Sequence, residues 1–204
     1  PTQIPVIKKE SLDILLDEKA PEKDVFYALA TLGRMKYTKD EFKELESVLN
    51  KIFLNSTVDI KRQIMGLFAD LAYDDIIDLD YILRFLDEPI EVKAQLGMYF
   101  YRFDNKNPSI KWKKAVLMSL TEIPPNYPRP IDGIDYIISK DLESGLHELF
   151  DCFCIPWVIY NKGIKSKDLF KLLDSTFSNL FKSKHNDYFQ SLILKMLIHE
   201  DLNV

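Results

Sequence analysis

Apolar residues recur every three to four positions along nearly the whole chain, and that period belongs to a helix with one buried face. The runs cover roughly 9–18, 22–36, 39–54, 57–73, 76–87, 89–104, 109–122, 141–160, 166–181 and 185–200. In the third, Phe42, Leu45, Val48, Leu49 and Ile52 share a face, and Thr38 followed by Glu41 forms a capping-box pattern. In the fourth the stripe is Ile60, Ile64, Leu67, Phe68 and Leu71, with Thr57 as the cap. In the sixth it is Val92, Leu96, Tyr99, Phe100 and Phe103, opening at Pro89. Ser166 and Asp168 open the ninth. Strands are scarce. Ile131 to Ile138 admits a short strand, or a short helix from Asp132. The expected class is all-α, and Ile64, Phe68, Leu96 and Phe100 are expected in the core.

A weak repeat suggests how the helices are arranged. Ile60-Lys61-Arg62-Gln63-Ile64 aligns with Val92-Lys93-Ala94-Gln95-Leu96 at an offset of 32 residues, and Phe68 and Leu71 then meet Phe100 and Phe103. Val25 and Leu29 align with Ile60 and Ile64 at an offset of 35. Asp24, Asp59 and Glu91 precede these starts, where an acid favours the helix dipole. Repeats of this length fit stacked helix pairs. The pattern resembles degenerate HEAT-like repeats over about residues 22–123, which implies stacked antiparallel helix pairs; an irregular helical bundle is the alternative. Pro124, Pro125, Pro128 and Pro130 force extended geometry and mark the best internal boundary. The expectation is a single domain over 1–204, with a repeat array at 22–123 and C-terminal helices at 134–204 packed on it.

Charge bounds the function. The 204 residues hold 27 Lys and Arg against 32 Asp and Glu, a net charge of -5. Residues 1–107 carry 15 basic and 20 acidic side chains, and residues 108–204 carry 12 of each. Nucleic acid is therefore not the expected partner. Lys106, Lys111, Lys113 and Lys114 around Trp112 read as a solvated helix start. HEAT-like DNA glycosylases resemble this chain in repeat type alone, and they carry strongly basic faces. No run of 18 or more apolar residues would span a membrane. Two cysteines one residue apart make no disulfide framework, so a cytoplasmic location is expected.

Reactive constellations are thin. His147-Glu148 begins a zincin-like pair, but Asp151 stands where the second histidine belongs. Cys152 and Cys154 lie in an apolar segment, far in sequence from His185 and His199. No glycine-rich phosphate loop occurs. Gly33, Gly66, Gly97 and Gly145 read as isolated helix glycines kept for close packing. The expectation is no catalytic residue, no cofactor and no metal, and hence no enzyme.

The sharpest surface feature is acidic. Asp70, Asp74, Asp75, Asp78, Asp80, Asp87, Glu88 and Glu91 share one segment with a single base, Arg84. Like charges this close destabilise a fold, whereas a basic partner would use them to speed encounter and set register. Tyr73 and Tyr81 flank the turn as candidate apolar anchors. The expected partner-binding set is Tyr73, Asp74, Asp75, Asp78, Asp80, Tyr81, Asp87 and Glu88. A small acidic helical chain of this kind resembles, in style, the immunity proteins of bacterial toxin systems. That resemblance implies a stoichiometric inhibitor whose partner is a basic, nuclease-like toxin domain. The alternatives are a helical-repeat adaptor or scaffold and a HEAT-like nucleic-acid repair enzyme.

Overall fold

The computed structural model describes residues 4–161, 171–182, 187–188 and 190–191, and the described residues are all-α. Much of the runs expected at 166–181 and 185–200, with Ser166, Asp168, His185 and His199, lies outside the described residues. By contacts the chain divides into two compact units, one up to Gln95 and one from Leu96.

The first unit opens with α1 (Ile4–Leu16), α2 (Glu22–Leu32), α3 (Lys39–Asn55) and α4 (Val58–Tyr73). Short connections fold α1 on α2 and α3 on α4 as α-hairpins, and α2 also packs on α4. Thr38 caps α3 as expected: its hydroxyl accepts from the Glu41 amide at 3.3 Å, and Glu41 accepts from the Thr38 amide at 2.8 Å. Thr57 makes no such bond, and its hydroxyl donates to Glu22 at 2.6 Å instead. Phe68 lies at the centre of the core, its ring 6.1 Å from that of Phe42 and 5.4 Å from that of Phe85. The fifth run is shorter than expected and tighter, a 3-10 helix over Leu79–Phe85 that buries Ile82 and Phe85.

The run expected at 89–104 is not one helix. It forms three single turns, α5 (Ile90–Lys93), α6 (Gln95–Met98) and α7 (Phe100–Phe103), closed by a 3-10 turn over Asp104–Lys106. At Tyr99 and Arg102 the amides reach back three residues, to Leu96 and Phe100's preceding neighbour Tyr99, as in a 3-10 winding. Leu96 and Phe100 are buried all the same, as are Ile64 and Phe68.

The second unit continues with α8 (Ile110–Ser119), α9 (Pro128–Glu143), α10 (Glu148–Tyr160) and α11 (Asp174–Leu180). The segment that admitted a strand at 131–138 is the middle of α9. Pro128 and Pro130 sit in its first turn, where a missing N–H breaks no helical bond. Ile131, Ile134, Ile137, Ile138 and Leu142 are buried, and α7, α10 and α11 all pack against α9. Buried carboxylates of α9 cap its neighbours. Asp135 accepts from the Ser175 and Thr176 amides at 3.1 and 2.8 Å, and Asp141 accepts from the Leu149 amide at 3.1 Å. The run expected to start at 141 is the separate helix α10, set off by a turn at Gly145.

Candidate partner-binding edge

The acidic segment begins where α4 ends. The Ile76 amide bonds the Leu71 carbonyl at 3.0 Å and the Asp75 amide bonds that of Ala72 at 3.3 Å. This is a Schellman closure, which needs a left-handed residue after the cap. Asp75 fills that place with φ 60. Asp78 then begins the 3-10 helix, its carbonyl accepting from the Tyr81 amide at 3.0 Å.

The eight expected residues fall into two groups. Asp75, Asp78, Asp80 and Asp87 are exposed. Among the described residues, Asp78, Asp80 and Asp87 form no ion pair. The other four are engaged or partly covered. Asp74 is 2.7 Å from Lys36 Nζ. Glu88 is 3.2 Å from Lys61 Nζ, and that ammonium also lies 4.9 Å from the Phe53 ring centre. Tyr73 is half-buried at the end of α4. Tyr81 is half-buried with its ring against Phe68 and Phe42, at 5.2 and 6.2 Å. Its hydroxyl donates to Glu46 and accepts from Arg84, and burial followed by the Glu46 bond pushes the phenol up to about 12.

Arg84, the single base of the segment, turns toward α3. Its second nitrogen donates to Asn50 at 3.0 Å, and its guanidinium lies 4.9 Å from the Tyr81 ring centre. Its bonds to Tyr81 and Asn50 occupy it away from the exposed aspartates. Sequence patterning could not identify Lys36, Glu46, Asn50 and Lys61 as partners, because each lies 27 to 38 residues from the group it meets.

Other candidates are built into the second unit's framework. Trp112 is buried, edge-on to Phe103 and Phe100 at 5.5 and 6.3 Å, and Lys114 is paired with Glu148. Burial raises the Cys152 thiol to about 11, and the fully buried Cys154 thiol is raised well above its ordinary range. A thiol held protonated is a poor nucleophile at neutral pH. The His147 ring stacks on Tyr188 at 3.7 Å. A polar cleft of about 430 Å3 opens beside α9 and α11, lined in part by Tyr101, Tyr136 and Lys140. Its buried Asp135, Ser139 and Asn179 bond one another's helices across the α9–α11 seam. Among the described residues, no three His, Cys, Asp or Glu side chains are placed to hold a metal ion, and no helix is long and apolar enough to cross a membrane. No family model, no curated protein and no solved structure matches the chain.

Proposed function

We propose that this chain is a stoichiometric protein binder whose acidic edge engages a surface rich in Lys and Arg. In its sharpest form the reading is an immunity-type inhibitor that caps a basic, nuclease-like toxin domain in the cytoplasm. The observation that carries it is the exposure of Asp75, Asp78, Asp80 and Asp87 on one short segment whose only base is bonded to Tyr81 and Asn50. Like charges this close cost stability, and a complementary partner turns that cost into encounter rate and register. The reading of a repeat adaptor draws on a different feature, the paired hairpins of the first unit and their offset of 35 residues.

The test exchanges Asp75, Asp78, Asp80 and Asp87 for Asn together. The parent and the exchanged chain are used to capture partners from the native host, and the recovered partner is then titrated at two salt concentrations. The parent is expected to retain one basic protein in equimolar amount. The exchange should weaken that complex strongly at low salt and less at high salt, because screening already removes the long-range attraction. Equal affinity of both chains at both salts would remove the edge as the interface.

A further inference from the structure

Among the described residues, the first unit carries an apolar groove that none of its helices fills. It lies between the end of α1, the start of α2, the second half of α3 and the start of α4, with a volume of about 580 Å3. Leu15 and Ile60 form its buried floor, Val48 and Ile52 are half-buried, and Leu16 stands 62% exposed at its lip. The main stripe of α3, through Phe42, Leu45, Leu49 and Phe53, is buried. Val48 and Ile52 extend that stripe past the core, which explains why the helix reads as apolar over a wider arc than its packing uses.

The lip is charged, and one sign prevails. Among the described residues, Asp17, Glu18 and Glu22 line it against Lys51 alone. Lys51 is 2.8 Å from Glu18, so that pair cancels. Among the described residues Asp17 and Glu22 form no ion pair. An apolar trough with an acidic border matches an amphipathic helix whose apolar stripe is flanked by Lys or Arg, the helix-in-groove mode of recognition. We propose that this groove docks such a helix, supplied by a partner protein. The proposal rests on the reading of the chain as a protein binder, but on a different surface from the acidic edge.

The probe is a labelled synthetic helix of about five turns, with Leu along one stripe and Lys elsewhere, long enough to hold helical structure. It is titrated by fluorescence anisotropy against the full chain, beside a scrambled peptide of the same composition and a Leu–Glu counterpart. One-to-one saturable binding of the Leu–Lys helix is expected, at least about tenfold tighter than either control. Leu16→Lys and Glu22→Lys should each weaken it by about tenfold or more. Both positions are exposed, and circular dichroism checks that the variants stay folded. The chain with Asn at 75, 78, 80 and 87 should bind the peptide like the parent. Absence of binding, equal binding of the scrambled or acidic peptide, or indifference to both groove variants overturns the proposal. Loss of binding in the four-Asn chain alone would place the peptide on the acidic edge, ending the groove proposal while leaving the edge reading intact.

Discussion

Asp75 holds a backbone angle that L side chains disfavour. Its φ of 60 closes α4 in the way that Gly145, at φ 86, closes α9. The bonds match as well: Leu146 to Asp141 and Gly145 to Leu142 reproduce those from Ile76 and Asp75. A left-handed conformation costs a residue with a Cβ roughly 1–2 kcal/mol, and glycine escapes that cost. Asp75→Gly should therefore raise unfolding stability by about 1 kcal/mol in urea titration, after allowing for glycine's greater freedom in the unfolded chain. The same variant should bind a basic partner more weakly if the edge is the interface. A variant that is both more stable and as tightly bound would show Asp75 to be a turn residue only. The exposure of Asp78 and Asp80 follows from the same turn, which places the next helix start at the surface. The sequence showed the acids as a block. It could not show that Asp74 and Glu88 are paired with Lys36 and Lys61, which lie 38 and 27 residues away, or that the turn after α4 folds Tyr81 back onto Phe68.

Helices with strong local signals were legible. The capping box at Thr38 and Glu41 is present, and the apolar periods of α2, α3 and α4 place those elements within a few residues. The failures have physical causes beyond local sequence. The stretch after Pro89 has a helical stripe, yet it breaks into single turns at Ala94 and Tyr99, on either side of Gly97, which approaches α9 closely. A Cβ built on Gly97 would lie 2.6 Å from the Pro130 carbonyl oxygen, and one on Gly133 would lie 2.0 Å from that of Gly97. Both obstacles are backbone, so neither can swing aside. Two prolines and a β-branched run disguised α9, because Pro128 and Pro130 are harmless in the first helical turn and isoleucines packed on several sides satisfy helix as well as strand. Of the glycines read as helix glycines, Gly145 lies past the helix end, and Gly33 is a cap residue with no backbone demand for glycine. Gly133→Ala should force α6 and α9 apart and cost about 3 kcal/mol or more. Gly33→Ala, with a nearest neighbour at 3.5 Å and φ -62, should gain about 0.5 kcal/mol. Similar melting temperatures for the two variants would mean that the α6–α9 approach is not tight.

Across the whole chain, ionisation links these local arrangements to stability. On the acid side, hydrogen bonds from Lys8 and the Thr38 amide hold Glu41 down to about 2. Lys51 lowers Glu18, and for Asp104 burial, which would raise it, is outweighed by the bonds from Lys140 and Tyr136 together with the charges of Lys140 and Lys113. A carboxylate depressed in the folded state adds stability above its ordinary value near 4, and that stability is lost as the pH falls toward the folded value. Asp141 acts in the opposite sense: burial raises it, so its ionisation above the ordinary carboxylate range opposes folding. On the alkaline side, burial raises Tyr37, Tyr81, Tyr101 and Tyr188, with Tyr81 reaching about 12. Unfolded tyrosines lose their proton near 10 while these folded ones keep it, so their contribution is complete below about 10 and is lost above it. Net charge works in the same direction, since a chain at -5 near neutrality repels itself more as tyrosines and lysines titrate. The urea midpoint should therefore be broad and flat between about pH 5 and 9, fall below about 4, and fall steeply from about 10. Tyr37 tests the alkaline limb, because its hydroxyl donates to the Leu32 carbonyl at 2.9 Å inside the core. Tyr37→Phe should lose about 1 kcal/mol at pH 7 with that bond, yet show a shallower decline above pH 10 because one raised phenol is gone. A parent whose midpoint holds steady to pH 11, or a Tyr37→Phe chain that declines as steeply as the parent, would show that these phenols ionise without opposing the fold.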